Sequence, residues 1–184
     1  MPRTYKTEGI VIKRINFGEA DKLVTIFTKN HGKIVVLAKG IRKINSRKAP
    51  HLELFTHCQA FISHGRNLDI ITESQTITSF SYFRTNLLRL SKGFGILEVI
   101  ERLLPEREAH QDIYAIFLQV IRQLNESKIT EYQEITSRFL HEILWRLGYL
   151  QKDKILTEVT LYNFLEEVME KRLKSSMLLT KIGR

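Results

Sequence analysis

The first 80 residues alternate short apolar, β-branched runs with turn residues, a pattern that predicts strands. Several runs are apolar on both faces, and closing a sheet into a barrel removes its exposed edges. The pattern therefore favours a small closed barrel. The five-stranded OB-fold is the leading candidate, and an SH3-like barrel stays open because strand number alone does not separate the two. The five predicted strands span residues 7–16, 21–28, 33–39, 52–63 and 68–78.

From Phe80 onward the apolar residues recur every three or four positions, which is helical spacing. Pro105 ends the first helix, which Gly93 and Gly95 could divide, and Gly148 lies where a helix-terminating glycine is expected. The helices are amphipathic and are expected to pack together. The predicted helices span residues 82–104, 112–124, 131–147 and 157–173.

The predicted fold class is therefore α+β, an all-β half followed by an all-α half. The change of period near residues 79–82 divides the chain into an OB-fold nucleic-acid-binding domain, residues 1–80, and a helical domain, residues 81–184.

Charge is distributed unevenly between these halves. The 184-residue chain has a formal charge of +9. Residues 1–80 hold 13 Lys and Arg against 6 Asp and Glu, whereas residues 81–184 hold 16 against 14. A basic first half favours nucleic acid or an anionic membrane as its partner.

The strongest local signal is the stretch 33–48, where a strand runs into a basic loop. No Asp or Glu occurs between Lys22 and Leu52. Gly40 supplies backbone freedom, so the sequence predicts a rigid strand that delivers a flexible cluster of cations to solvent. Phosphate binding is the functional interpretation, and an ordinary solvated surface is the alternative. The candidate phosphate contacts are Lys39, Arg42, Lys43, Arg47 and Lys48.

Aromatic residues in the first half are candidates for stacking on unpaired bases. Phe27, Phe55 and Phe61 lie within apolar runs, which favours barrel core instead. Phe17 lies in a predicted turn and is the better base-stacking candidate.

Catalytic and metal-binding patterns are missing from the sequence. Cys58 is the only cysteine, and its neighbour His57 would point to the opposite face of a strand, which argues against shared zinc ligation. The carboxylates of the first half are scattered, and no phosphate loop or nucleophile elbow occurs. We expect no catalytic residues, no metal, no cofactor and no enzymatic activity. Without a signal peptide or membrane span in the sequence, we expect a cytoplasmic location.

Several segments resemble the RecO family of bacterial recombination mediators. In the first half these are EGIVIKR (8–14), GEADKLVTIFT (18–28), HGK (31–33), LAKGIRK (37–43) and GRNLDIITE (65–73). In the second half they are ILEVIERLLPE (96–106), RFLHEILWRLGYL (138–150) and KRLKSSMLL (171–179), the last similar to the family's C-terminal helix. The AKG-x-R element after GEADKLVTIFT is the most specific of them.

The resemblance implies an N-terminal OB-fold, a C-terminal helical domain and a role in DNA repair at the nucleoid. It implies binding to single- and double-stranded DNA, annealing of complementary strands, and loading of RecA with RecR onto DNA coated by single-strand-binding protein. The acidic tail of that protein is expected to dock in an apolar groove among the helices. Carried over to this chain, the DNA contacts are Lys39, Arg42, Lys43 and Arg47, with Arg14 and Lys33 behind them.

One departure from the family pattern follows the LGY motif. Many members insert a four-cysteine zinc module there, whereas here residues 151–156 lead directly into the last predicted helix and no cysteine follows. The chain is expected to be a short member without the zinc module. An RNA-binding OB-fold protein of translation or RNA metabolism is the main alternative function. A helical adaptor whose basic barrel only solubilises it is a third.

Overall fold

A computed structural model describes residues 3–169. Its first half is a closed barrel with the strand order β1-β2-β3-β5-β4. β3 and β5 pair in parallel, and the other neighbours pair antiparallel. This is the OB-fold, so the predicted fold class is confirmed. The strands are β1 Thr4–Phe17, β2 Asp21–Thr28, β3 Gly32–Ala38, β4 Thr56–Ser63 and β5 Asp69–Ser79.

Inward-facing and outward-facing side chains alternate along the strands, and the inward-facing ones fill the barrel. Val11, Val24 and Val36 point inward with Cys58 and Ile71, and all five are fully buried. A bulge between Val11 and Lys13 shifts the register of β1 against β2. Such a bulge bends a strand, which helps β1 to pair with β2 along its second half and with β4 along its first half.

The fourth strand starts four residues later than predicted. A short 3₁₀ helix, Ala49–Leu52, occupies the beginning of the predicted run, with Pro50 in its first turn. Phe55 has a φ of 66°, a left-handed conformation that cannot continue a strand. Leu52 is still fully buried, so it fills the core from the 3₁₀ helix.

The four predicted helices are all present, but the first begins at Leu87, five residues later than predicted, and a 3₁₀ helix, Ser81–Arg84, precedes it. Gly93 and Gly95 do not divide α1, and Gly148, whose φ is 78°, lies two residues beyond Arg146, the last residue of α3. The N–H of Gly148 donates to the Trp145 carbonyl and that of Tyr149 to the Leu144 carbonyl, each at 2.9 Å, which is a Schellman end. The helices are α1 Leu87–Leu103, α2 Gln111–Glu126, α3 Tyr132–Arg146 and α4 Glu158–Met169.

The end of the last predicted helix and the family-like segment 171–179 lie outside the described residues. Among residues 3–169, no helix has both the length and the apolar character that a membrane crossing requires.

The chain divides into two compact units, and the segment 104–114 belongs with the barrel. The N–H of Arg107 donates to the Lys33 carbonyl at 2.8 Å, and the Tyr114 ring lies 5.6 Å from that of Phe27. Of the described residues, the second unit comprises 81–103 and 115–169. The change of period near residues 79–82 places the segment 104–114 in the predicted helical half, because periodicity carries no information on these contacts.

Candidate nucleic-acid interface

The basic loop, residues 39–48, is fixed at its start to the hairpin between β1 and β2. Gly40 reverses the chain with a φ of 65°, and its N–H donates to Asp21 Oδ1 at 2.7 Å. The N–H of Arg42 donates to the Ala20 carbonyl at 2.9 Å. Between them, Ile41 is inserted into the core with 3% exposure. These contacts set the direction in which the loop leaves the barrel.

The end of the loop is fixed to β5. Lys48 Nζ donates to the Ile71 carbonyl at 3.2 Å, and the N–H of Thr76 donates to His51 Nδ1 at 3.3 Å. β3 pairs with β5 at only two positions, so the rest of this edge of β5 is available for these contacts. Both ends of the loop are therefore anchored, a feature that the sequence-based expectation of a flexible cluster does not include.

The exposed cations of the loop lie beside a groove of about 560 Å³. One wall is formed by Lys39, Lys43, Arg47 and Lys48, and the other by Thr72, Glu73 and Ser74 of β5. A phosphate on the first wall would meet several cations at once, whereas the second wall offers a carboxylate and hydroxyls, which suit the polar edge of a base.

Arg42 is exposed but lies on the hairpin side of the loop. Its Nη1 donates to the Gly18 carbonyl at 3.2 Å, in addition to the backbone contact with Ala20. Arg42 therefore extends the cationic surface from the groove toward the end of β1.

Lys48 has a structural role as well as a charge. It is half-buried, and burial lowers the pKa of its ammonium, an effect that the Asp21 carboxylate opposes. Since its Nζ already donates to the β5 backbone, Lys48 acts chiefly as an anchor of the loop.

Two predicted contacts do not lie on an exposed surface. Lys33 is only 7% exposed, because the segment 104–114 covers the start of β3. The Arg14 side chain is 14% exposed and pairs with Glu53. Arg14 is paired with the core residue Val24 in the β1–β2 register, so it points to the barrel interior. Both predictions are therefore corrected: neither side chain presents an open cation to a phosphate.

Phe17 is the last residue of β1 rather than a turn residue, and its side chain is 46% exposed. Phe27 and Phe55 are both buried, but Phe27 faces the outside of the barrel, where the Tyr114 ring covers it. Phe61 was also predicted to be core, but it is 37% exposed because its position in β4 points outward. Phe17 thus stays a base-stacking candidate.

The histidines do not converge on a common point. His57 Nε2 lies 2.9 Å from Glu8 Oε1 and 3.2 Å from the Tyr114 hydroxyl, inside the barrel unit. His64 Nδ1 lies 3.1 Å from the Asp69 carboxylate. Across residues 3–169 there is no group of three or more His, Cys, Asp or Glu placed to hold a metal ion.

Sequence reasoning missed three residues of this site. Asp21 and His51 anchor the loop, and Glu73 lines its groove. A search for clustered cations passes over the two acids and the histidine, because they carry no positive charge at neutral pH in the sequence pattern. Asp21 at the start of β2 and the turn-forming Gly40 are both visible in the sequence. Their hydrogen bond joins residues 19 positions apart, so no local pattern connects them.

We predict that Asp21→Ala loosens the loop, whereas Asp21→Asn does not. Alanine leaves the Gly40 N–H without its acceptor, and we expect a loss of about 1 kcal/mol in the free energy of unfolding. Asparagine keeps an oxygen at the same position. Hydrogen exchange at the Gly40 amide provides the direct measurement, and equal protection in the two variants would contradict the anchoring role.

The fold and the site define a class: an OB-fold barrel that carries an anchored cationic loop, with a helical unit in the same chain. Residues 1–80 match the family described as "Recombination protein O N terminal", and residues 84–150 match "Recombination protein O C terminal". The chain therefore belongs to the RecO family.

Curated relatives support this assignment. The chain is 42% identical over 123 residues to "DNA repair protein RecO" of Roseiflexus sp., which is 67% of this chain and 43% of the relative. It is 31% identical over 148 residues to the protein of that name from Dehalococcoides mccartyi, covering 80% and 58%. It is 35% identical over 143 residues to the protein of the same name from Synechocystis sp., which is 77% of this chain and 53% of the relative. The chain spans about half the length of these relatives.

Proposed function

We propose that this chain is a DNA-binding mediator of DNA repair that holds single and double strands on the basic loop and anneals complementary strands. The observation that carries the proposal is the anchored loop, on which Lys39, Lys43 and Arg47 are exposed beside one groove and Arg42 is exposed next to it. The relatives' name, "DNA repair protein RecO", supports the choice of DNA over RNA.

Annealing on such a surface requires no covalent chemistry. Cations that replace the counterions of two strands reduce the repulsion between them, and base pairing then supplies the driving force. The proposed activity therefore uses no catalytic residue, metal or nucleotide cofactor. The barrel half carries nucleic-acid binding, and we place the protein in the cytoplasm, associated with the nucleoid.

The family assignment extends the proposal to protein partners. We propose that the chain acts with RecR to load RecA onto DNA coated by single-strand-binding protein. A groove of about 330 Å³ between α2 and α3 is a candidate dock for that protein's acidic tail, since Val120 and Phe139 form part of its floor and Arg138 and Arg146 lie beside it. Both arginines pair with acids of α3, so a tail would have to compete with those ion pairs.

The test is binding and annealing of fluorescent oligonucleotides at 50 and 200 mM salt, without ATP or metal. Four phosphate contacts to a single strand give a slope of about −2.8 in log affinity against log salt, so affinity should fall about 50-fold. We expect annealing of complementary strands at 50 mM salt, and its loss at 200 mM. Binding without annealing would overturn the mediator function, and tighter binding to RNA of equal length would favour the RNA-binding alternative.

A further inference from the structure

Two isoleucines of the basic loop lie three positions apart in opposite environments. Ile41 is inserted into the barrel core and is 3% exposed, whereas Ile44 at the tip of the loop is fully exposed, at 102%. No large apolar side chain of residues 3–169 is more exposed than Ile44. Because burying an isoleucine is favourable, folding leaves the whole of this contribution available to a partner.

The turn that carries Ile44 does not require an isoleucine. The N–H of Ser46 donates to the Lys43 carbonyl at 3.0 Å, which closes a β-turn with Ile44 and Asn45 at its two corners. Glycine, proline, asparagine, aspartate and serine are the residues that favour such positions. A polar residue would serve the turn at least as well, so the isoleucine has no role within the loop itself.

The tip of the loop is held between two anchors. The N–H of Gly40 donates to Asp21 before the tip, and Nζ of Lys48 donates to the Ile71 carbonyl after it. A side chain on an anchored segment loses less conformational freedom on binding than one on a free segment. More of the burial of Ile44 therefore contributes to affinity.

Cations flank Ile44 on both sides. Lys43 and Arg47 line the groove on one side of the tip, and Arg42 lies on the hairpin side, while Ile44 itself does not line the groove. A partner that covers the tip must therefore bring negative charge to both sides of a small apolar surface. Nucleic acid meets this requirement, because its phosphates run along both sides of the stacked bases.

The flat faces of base pairs are accessible at only some places in DNA. Inside an intact duplex each face is stacked on the next pair, and opening a base step costs at least as much free energy as burying one aliphatic side chain returns. The last base pair before an unpaired strand already exposes one face. A single isoleucine therefore gains most at the junction between duplex and unpaired strand, which is also the point at which two annealing strands join.

We propose that Ile44 packs against the last base pair of a duplex where it meets an unpaired strand, while Arg42, Lys43 and Arg47 hold the flanking phosphates. The substrate class is junction DNA, and Ile44 is the residue that distinguishes it from continuous duplex. The inference rests on the proposed function, to which it adds a contact with paired bases that cations alone do not provide. By covering the last pair, Ile44 slows the reopening of a newly annealed end.

The test compares wild type with Ile44→Ala at 50 mM salt on three probes: a duplex with an unpaired tail, a relaxed closed circular duplex and an oligothymidine single strand. Partial burial of the carbons that alanine lacks predicts about three- to 30-fold weaker binding to the tailed duplex. Affinity for the circle and the single strand should change less than about twofold, because neither has a terminal base pair. Imino-proton exchange of the last base pair should slow when wild type binds and should not slow with Ile44→Ala.

Three control variants separate an apolar cap from a structural role of the side chain. Ile44→Asn suits the corner of a turn, so it should fold normally and yet lose tailed-duplex affinity as alanine does. Ile44→Leu keeps an apolar side chain of similar volume and should bind within about threefold of wild type. Ile77→Ala removes an isoleucine that is 48% exposed on β5, and it should bind all three probes with wild-type affinity.

The outcomes separate this inference from the proposed function. Wild-type affinity of Ile44→Ala or Ile44→Asn for the tailed duplex would overturn the cap and leave DNA binding standing; the tip would then be free to dock an acidic protein. An equal loss on all three probes would also overturn it, because Ile44 would then act in general binding rather than at the junction. If wild type bound none of the probes, the proposed function itself would fail.

Discussion

Gly32→Ala is expected to destabilise the barrel unit by about 3 kcal/mol, the largest stability effect that we predict for a single substitution. Gly32 starts β3 with a φ of 63°, in the left-handed region that disfavours any residue with a Cβ. A Cβ built there would lie 1.9 Å from the Glu108 carbonyl oxygen and 2.8 Å from the Glu108 nitrogen. Those atoms belong to the backbone of the segment 104–114, so no side-chain rotation relieves the overlap.

Gly18→Ala provides the matched control. Gly18 has nearly the same φ, 59°, but no atom lies within 4 Å of the position its Cβ would take. Gly18→Ala should lower the free energy of unfolding by only about 1 kcal/mol, because it adds the strain of a left-handed backbone but no steric overlap. Urea unfolding followed by circular dichroism measures both. Equal losses would show that the segment 104–114 does not press against the start of β3, and would contradict its place in the barrel unit.

The contrast between these glycines shows what local sequence can predict. Gly18 and Gly32 both lie in turns that the sequence predicts. The strand between those turns has the predicted ends, since β2 runs from Asp21 to Thr28. Strands and helices were found because their periodicity is local and their ends carry turn or capping residues. What lies against Gly32 is 76 residues away in the chain, and no local pattern encodes it.

The errors at individual residues have the same origin. Lys33 is charged and stands next to a basic loop, so composition predicts exposure, yet a distant segment covers it. Arg14 is likewise basic, but the β1–β2 register turns it inward toward Glu53. The later start of β4 reflects Pro50 and the left-handed Phe55, whose conformation is not visible in an apolar run.

For the candidate site, the sequence predicts the charge and the structure adds the geometry. An acid-free run of cations is visible in the sequence alone, and the choice of Lys39, Lys43 and Arg47 stays a prediction that their exposure and shared groove support. The anchors of the loop depend on contacts between elements distant in the chain, which a single sequence does not reveal.

Replacing Lys39, Arg42, Lys43 and Arg47 together with alanine is expected to lower DNA affinity about 100-fold at 50 mM salt. This figure takes about 0.7 kcal/mol for each exposed ion pair with a phosphate. The loss should grow smaller as salt rises, because the slope of log affinity against log salt falls by about 2.8 for a single strand and 3.6 for a duplex. Lys48 is left in place, since removing its contact with β5 would disturb the loop itself.

A control variant removes the same charge from another part of the barrel. Arg3, Lys6, Lys29 and Arg66 are exposed, again two lysines and two arginines. They lie at the start of β1, after β2 and after β4, and none of them lines the groove. If affinity depended only on net charge, both fourfold variants would lose it equally. We expect the control to lose less than about fivefold, with nearly the wild-type salt slope, because these four cations do not line the groove and screening weakens their effect on a phosphate held there.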